Sequence, residues 1–520
     1  MSAKQANQSE VDERLAALIT NSNAIRAITS AVEGTLGPKG LDTMLVDKFG
    51  DVIITNDGVT ILQLMEVNHP AARMLIKTAK AQQDEIGDGT TTATVLAGSL
   101  VAEGVNQVSK GVPVSRVIEG LKGGVKNAID LFYQSARPVE TLQDPMLEKV
   151  ALVAGREHLD IAHLVIEAAR LVGEEKLKEH NFKLSDTIKA QENADNQVFS
   201  GVIVNKMPMN EDMPKRLDDA SILIIDDALE PEQLSEEALS TEAGFAWYRQ
   251  MQQEFVENIR KIIELDVKVV LVDRGVEDIA EEMLGDAGIL VVQRVSSKEL
   301  KKVAEHSGAR AIKRTGLKKD LPELKRYVGF CGKAIVDEKL EQLHILDGKS
   351  KPVATVLVGA ATEEVVGERE RIAKDAASAV QAAVKAGLIP GGGAVELTVA
   401  RKVEELRREM KGMSAYGLDC VVAALKRPFS QIVTNAGFNP LEKLGDVIAA
   451  QMEKNSDSLS INCDNGEVAD MWEMGVVDPV LVKVHALKAA GEVAEAILRI
   501  DTIIKKREDR HERETGEGNW

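Results

Sequence analysis

Gly87-Asp88-Gly89-Thr90-Thr91-Thr92 is the segment with the most chemical promise, because it stands directly before an Ala-rich stretch of helical character. Glycine lets a backbone approach a ligand closely. The free amides at a helix N-terminus attract phosphate oxygens. Three hydroxyls in a row add donors, and Asp88 offers Mg²⁺ the oxygen ligand it prefers. The alternative is a turn followed by a capping threonine, though three consecutive threonines narrow the gap between the two readings. Asn56-Asp57-Gly58-Val59-Thr60 reads alone as a hairpin turn. Leu36-Gly37-Pro38-Lys39-Gly40 reads alone as the loop that closes a helix. Gly391-Gly392-Gly393-Ala394-Val395-Glu396 is either a flexible connection between helices or a bare backbone on which an adenine or ribose could lie. Asp478-Pro479 is a carboxylate able to grip a ribose, or an N-cap before a proline at the first helical position. Asp375 lies on a helix predicted over Ala373 to Val384, where a solvated charge is the usual outcome.

Other chemistries lack their residues. There is no GxxxxGK[ST], no protein-kinase set, no HExxH and no GxSxG in the chain. Histidine is scarce, at 8 residues, and no nucleophile–base pair is supported. Lys plus Arg is 64 and Asp plus Glu is 83, a net charge of −19. A duplex nucleic-acid binder needs a basic face, so nucleic acid is not an expected partner. The three cysteines, Cys331, Cys420 and Cys463, are widely spaced without a CxxC. A disulfide framework or zinc site is therefore not expected, and reduced cytoplasm fits. The polar N-terminus lacks a signal-peptide core, and no apolar run can span a bilayer, so no membrane role is expected.

These loops need elements to position them. A helix is predicted through Ile19, Ile25, Ile28, Ala31 and Val32, ending near Gly34. Met44 to Val46 and Val52 to Thr55 read as strands. Helices are predicted from about Ala71 to Gln83, from Thr90 onward, and from about Ser115 to Ala136, before Pro138. Between Gly201 and Val358 the pattern alternates. Val202 to Val204, Ile222 to Ile225, Val267 to Val272 and Ile289 to Val292 read as strands between amphipathic helices, an α/β unit. Ala-rich helix then returns as far as about Lys506. One helical domain interrupted by an α/β insertion accounts for this order, and the charged tail from Lys505 to Trp520 reads as frayed.

Taken together and in order, the segments Thr35 to Gly40, Asn56 to Thr60, Gly87 to Thr92, Gly391 to Glu396 and Asp478-Pro479 resemble the chaperonin family. The resemblance runs from about Val11 to Lys506. Gly201-Val202-Ile203-Val204-Asn205-Lys206, Met213-Pro214-Lys215-Arg216 and Ala494 to Asp501 are similar to its thermosome-like (group II) branch, while Thr35 to Gly40 resembles the bacterial, co-chaperonin-using branch, so that a bacterial (group III) member of the lidded branch is the alternative. The resemblance implies a multidomain α and α/β fold. A mainly helical equatorial domain would span 1–137 and 389–520. A hinge-like intermediate domain would span 138–202 and 354–388. An inserted apical α/β domain would span 203–353, with a helical protrusion at about 228–262. It further implies an ATP-dependent chaperone that stacks into double rings, encloses non-native client proteins and closes a built-in lid without a separate co-chaperonin.

By the same resemblance, Leu36, Gly37, Pro38, Gly58 and Gly89 to Thr92 would line the nucleotide. Asp88 would hold Mg²⁺, and K⁺ is a further candidate cofactor. Asp57 would lie by the γ-phosphate, and Asp375 would activate the attacking water. Gly391 and Gly392 would face the nucleoside, Asp478 the ribose and Asn462 the base. Within the protrusion, Met251, Phe255 and Ile259 have the spacing of a buried stripe. Pro231, Leu234, Leu239, Phe245 and Trp247 are candidates for client or lid contacts. Ala154-Gly155-Arg156-Glu157 stands where thermosomes have a Gly-Lys-Gly-like stretch, with Arg156 as a substitute cation. A small-molecule kinase and a non-hydrolysing scaffold are the competing functions.

Overall fold

A computed structural model describes residues 2–46, 48–50, 52–232, 242–350 and 353–502. Leu234, Leu239 and the tail from Lys505 lie outside the described residues. The chain forms two compact units. The first combines residues 1–154 with 378–520, and the second is residues 155–377.

The first unit is built on long helices: Ser2–Val32, Pro70–Glu85, Thr90–Ser109, Val114–Gln134, Ala394–Glu409, Ala415–Asn435, Pro440–Lys454 and Val480–Leu498. Thr90–Ser109 is the central one. It packs against Ser2–Val32, Pro70–Glu85, Ala415–Asn435 and Val480–Leu498. Its apolar residues point all round, which is the pattern of a helix enclosed by others. Ile25, Leu100, Leu121, Leu418, Leu425 and Ile497 share this core with many alanines and valines. Large aromatic side chains are few, so the helices close their gaps by backbone approach. Helices Val114–Gln134 and Ala415–Asn435 cross at Gly120 and Gly417. A Cβ on Gly120 would meet the Ser414 carbonyl at 1.8 Å, and one on Gly417 would meet the Val117 carbonyl at 2.1 Å.

Short strands join the helices. Thr43–Val46 and Val52–Thr55 form an antiparallel hairpin with Val46 opposite Val52. Leu388–Pro390 pairs with Val477–Pro479, setting Ile389 opposite Asp478. Leu459–Ile461 pairs with Val468–Asp470. Asn56-Asp57-Gly58 is not the hairpin turn it resembles in isolation. It follows the second hairpin strand, and Asp57 caps the helix Gly58–Leu64.

The second unit carries an eight-stranded mixed sheet. Its order is Ile188–Glu192, Ala354–Ala360, Gln197–Val204, Gln342–Gly348, Gly329–Asp337, Arg216–Ile225, Val269–Val272 and Leu290–Val292. The last three strands run parallel, and their apolar runs are buried on both faces, as parallel strands require. Leu223 and Ile225 face a core with Phe255, Ile259 and Leu284. Ile222 and Ile224 face another, with Leu300 and Val303. On the helix Glu242–Glu264, Met251, Phe255 and Ile259 are buried as their spacing predicts, whereas Phe245 and Trp247 are exposed.

The glycine crossing yields a prediction. Gly120→Ala forces two helix backbones apart and lowers unfolding free energy by about 1–3 kcal/mol, the usual range for overpacking. Gly123→Ala, with nothing within 4 Å of a new Cβ, is neutral or stabilising by up to about 1 kcal/mol through helix propensity. Thermal melts of the two variants check the contrast.

Candidate functional site

The helix Thr90–Ser109 starts from Gly89, whose left-handed φ of 77° turns the chain into the first turn. The amides of a first turn have no partner within their own helix, so those of the threonine run are available to an anion. Asp88 Oδ1 accepts from the Gly89 amide at 2.5 Å. The loop is braced from behind by Gln82, which is fully buried. Its Nε2 donates to the Asp88 carbonyl at 2.7 Å and to the Val482 carbonyl at 3.3 Å. Its Oε1 lies 2.6 Å from His485 Nδ1. Because the Gln82 amide nitrogen is used as donor, Oε1 must accept, and His485 carries its proton on Nδ1. Burial pushes the His485 pKa below its ordinary value, with Glu85 opposing and Lys488 assisting.

Gly58 brings a second loop to this one. A Cβ there would stand 2.4 Å from Thr91 Oγ1, so only glycine lets the Asp57 loop lie against the threonines. Asp57 Oδ2 accepts from the Thr60 amide at 2.9 Å and from Thr60 Oγ1 at 2.6 Å, which fixes the carboxylate at its helix start. Gly89 abuts Val482, with 2.5 Å from a hypothetical Cβ to its Cγ1. The start of the Val480–Leu498 helix is thereby joined to the threonine loop. These contacts bring the loops of Asp57 and Asp88 together within the first unit.

Asp478 stands just before that helix. A Cβ on Gly391 would meet Asp478 Oδ2 at 3.2 Å, and the Gly391 amide donates to the Val476 carbonyl at 2.9 Å. Ser460 Oγ donates to the Gly392 carbonyl at 2.7 Å. The triple glycine is therefore a rigid, bonded segment, not a flexible connection. Ser460 leads by Ile461 into the loop of Asn462. There Asn462 Oδ1 accepts from the Asp464 amide, and its backbone pairs with Glu467 and Gly466. Lys39 reaches across to Asp464 at 2.6 Å, which ties the Leu36-Gly37-Pro38 loop to the Asn462 loop. Asn435 Nδ2 holds that first loop from the other side, donating to the carbonyls of Glu33 and Leu36 at 2.9 and 2.8 Å. Gly37, at φ 86°, sits against Ile432.

Lys483 escaped notice in the sequence. Its ammonium lies 2.8 Å from Glu396 Oε1 and 2.9 Å from Asp478 Oδ2. Burial by itself would lower its pKa, but the Asp478 and Glu396 carboxylates outweigh burial and hold it well above the usual lysine range. Gln82 was missed because a Gln within a helix carries no mark of burial, and Glu396, the last residue of the triple-glycine motif, was given no role for the same reason.

Asp375 belongs to the second unit. It lies on the helix Glu363–Ala386, longer than predicted, and pairs with Arg371 at 3.2 Å. Arg371 also binds Glu368, as does Arg156 at 3.1 Å. Arg156 and Glu157 both adopt positive φ, 51° and 63°, a conformation that costs side chains more than glycine. Among the described residues no group of three or more His, Cys, Asp or Glu could hold a metal alone.

The Gln82 brace is open to test. Gln82→Ala strips the Asp88 carbonyl and the His485 ring of this partner inside the core. Unfolding free energy should fall by about 1–3 kcal/mol, the cost of unsatisfied buried polar groups. A melting temperature equal to wild type would show that the brace is unimportant.

Comparison with known proteins identifies the family. The TCP-1/cpn60 chaperonin family model matches residues 28–508. A thermosome subunit of Pyrococcus abyssi is 37% identical over 521 residues, covering 95% of this chain and 92% of the relative. A thermosome subunit beta of Thermococcus kodakarensis is 34% identical over 516 residues, covering 95% and 93%. The crystal structure of a group III chaperonin in the open state superposes with a TM-score of 0.87 at 48% identity, covering 95% of this chain and all of that one. With a family match across nearly its whole length and relatives of this closeness, the chain belongs to the TCP-1/cpn60 chaperonin family.

Proposed function

We propose that the loops gathered in the first unit form the ATP site of a group III-like chaperonin. The chain is a chaperonin subunit and an ATPase: it joins like subunits in stacked rings and uses ATP to promote the folding of non-native proteins. The observation that carries the site assignment is a set of close approaches: Gly58 on Thr91, Gly89 on Val482, and Gly391 on Asp478, which stands four residues before Val482. It sets two carboxylates and a helix N-terminus at one end and a carboxylate beside bare glycine backbone at the other, which suits a Mg²⁺-bearing triphosphate followed by a ribose.

In this reading Gly37 and the amides and hydroxyls of Gly89 to Thr92 receive the phosphates. Gly391 and Gly392 lie under the nucleoside, Asp478 binds the ribose, and Leu36, Pro38 and Asn462 flank the base. Asp88, with the phosphates, would hold Mg²⁺, which neutralises charge on the phosphate oxygens when bound. K⁺ would be a second charge-neutralising ion. Asp57, fixed by Thr60, directs a water at the γ-phosphorus. The water oxygen forms the new P–O bond, the bond to the bridging oxygen of ADP breaks, and Asp375 accepts the water's proton. Phosphoryl transfer asks for such positioning and charge neutralisation more than for a strong nucleophile. Placing Asp375 on an intermediate domain (138–202 with 354–388) would couple hinge movement to hydrolysis.

The hairpin at Thr43–Thr55 supports self-association. Met44, Val46, Phe49 and Ile54 are all more than half exposed, an apolar surface that a lone subunit would not favour. Exposed Phe245 and Trp247 support a built-in lid at about 228–262, which removes the need for a separate co-chaperonin. No helix among the described residues is long and apolar enough to cross a membrane.

Two outcomes follow. Asp375→Ala should bind ATP with near-normal affinity and hydrolyse it at least about 100-fold more slowly, the usual weight of a general base. Single-turnover hydrolysis beside equilibrium nucleotide binding measures both, and wild-type turnover would remove Asp375 from the mechanism. Removing residues 232–247 should abolish ATP-dependent protection of the apical region from protease while leaving ATPase activity. Unchanged protection would end the lid assignment.

A further inference from the structure

Lys483, Glu396 and Asp478 form a charged group with no place in the mechanism above beyond Asp478 itself. They come from three elements: the helix Val480–Leu498, the helix Ala394–Glu409 and the strand Val477–Pro479. The Lys483 ammonium bridges the two carboxylates at 2.8 and 2.9 Å. Side-chain exposure rises from 2% at Glu396 through 11% at Lys483 to 25% at Asp478. Charge is thus anchored deep in the unit and delivered to one partly open carboxylate. That carboxylate lies over Gly391, where any Cβ would crowd Asp478 Oδ2 at 3.2 Å.

Taking an ammonium and two carboxylates out of water is costly, and well-packed apolar side chains would usually hold three elements together as well. A geometric role accounts for the arrangement. An aspartate at the end of a strand has rotamers to choose from, and an ammonium fixed from behind by Glu396 selects one of them. We propose that Lys483, anchored by Glu396, is a positioning residue that aims the Asp478 carboxylate at the ribose hydroxyls and so makes the site discriminate ribonucleotides. This rests on the reading of Asp478 as the ribose contact.

The probes are ATP, 2′-deoxyATP and 3′-deoxyATP, with KM and kcat measured on assembled particles of native mass. Wild type should favour ATP over at least one deoxy analogue by about 10-fold in kcat/KM, because a site built to bond a hydroxyl rejects its absence. Lys483→Met should raise KM for ATP about 10-fold, lower kcat by less than about 3-fold and shrink that preference below about 2-fold. Lys483→Arg should restore the preference. Should Lys483→Met fail to assemble, the double variant Lys483→Met, Glu396→Met removes both inner charges together and should show the same loss of preference. An assembled Lys483→Met or double variant with wild-type KM and preference overturns the inference. Asp478→Asn separates the two readings. If it abolishes the preference while the Lys483 variants keep it, the positioning role alone is wrong. If Asp478→Asn keeps the preference, the ribose contact is wrong and the inference falls with it.

Discussion

The packing of the helix Thr90–Ser109 against Val480–Leu498 is the contact on which the rest of the first unit depends. It joins segments almost four hundred residues apart and buries Leu100, Val101, Leu487 and Ile497 together. Burying each such side chain is worth about 1.5–3 kcal/mol. Loop-closure entropy grows only logarithmically with the intervening length, and much of the intervening chain is itself folded. The same contact seats Val482 on Gly89, so the core that stabilises the unit also aligns the threonine loop with the carboxylate at Asp478.

Small residues make that alignment possible. With 3% aromatic residues, the helices cannot wedge apart around large rings and instead touch through glycine. Gly120 and Gly417 let two helices cross at backbone distance, and Gly58 lets the Asp57 loop touch Thr91. In the first pair glycine serves packing, and in the second it serves the site. The physics is the same: a Cβ would occupy the space that the neighbouring chain needs.

The order of motifs made the family resemblance and the helical, α/β, helical succession legible. The apolar runs of Ile222 to Ile225 and Val267 to Val272 read as strands of an α/β unit, and their parallel pairing came from the structure. Asn56-Asp57-Gly58 read alone as a hairpin turn and proved a helix start, because the two use the same small polar residues. Its role as a cap depends on Thr60, whose amide donates to Asp57 only once the next turn is helical. The triple glycine was equally ambiguous, since its rigidity comes from Val476 and Ser460, both distant in sequence. Gln82 and Lys483 gave no signal, because each has the pattern of an exposed helical position and is buried only by other elements, and Glu396 was read only as the end of the glycine motif.

The sequence by itself determined which backbones could bend, cap or approach a neighbour: the glycines, the threonine run and the apolar periods are local properties of residue type. Only the tertiary structure decided which of those loops meet and which charges are withdrawn from water. Desolvation and ion pairing belong to the space between elements, and that space is defined only when residues 1–154 and 378–520 have closed into one core.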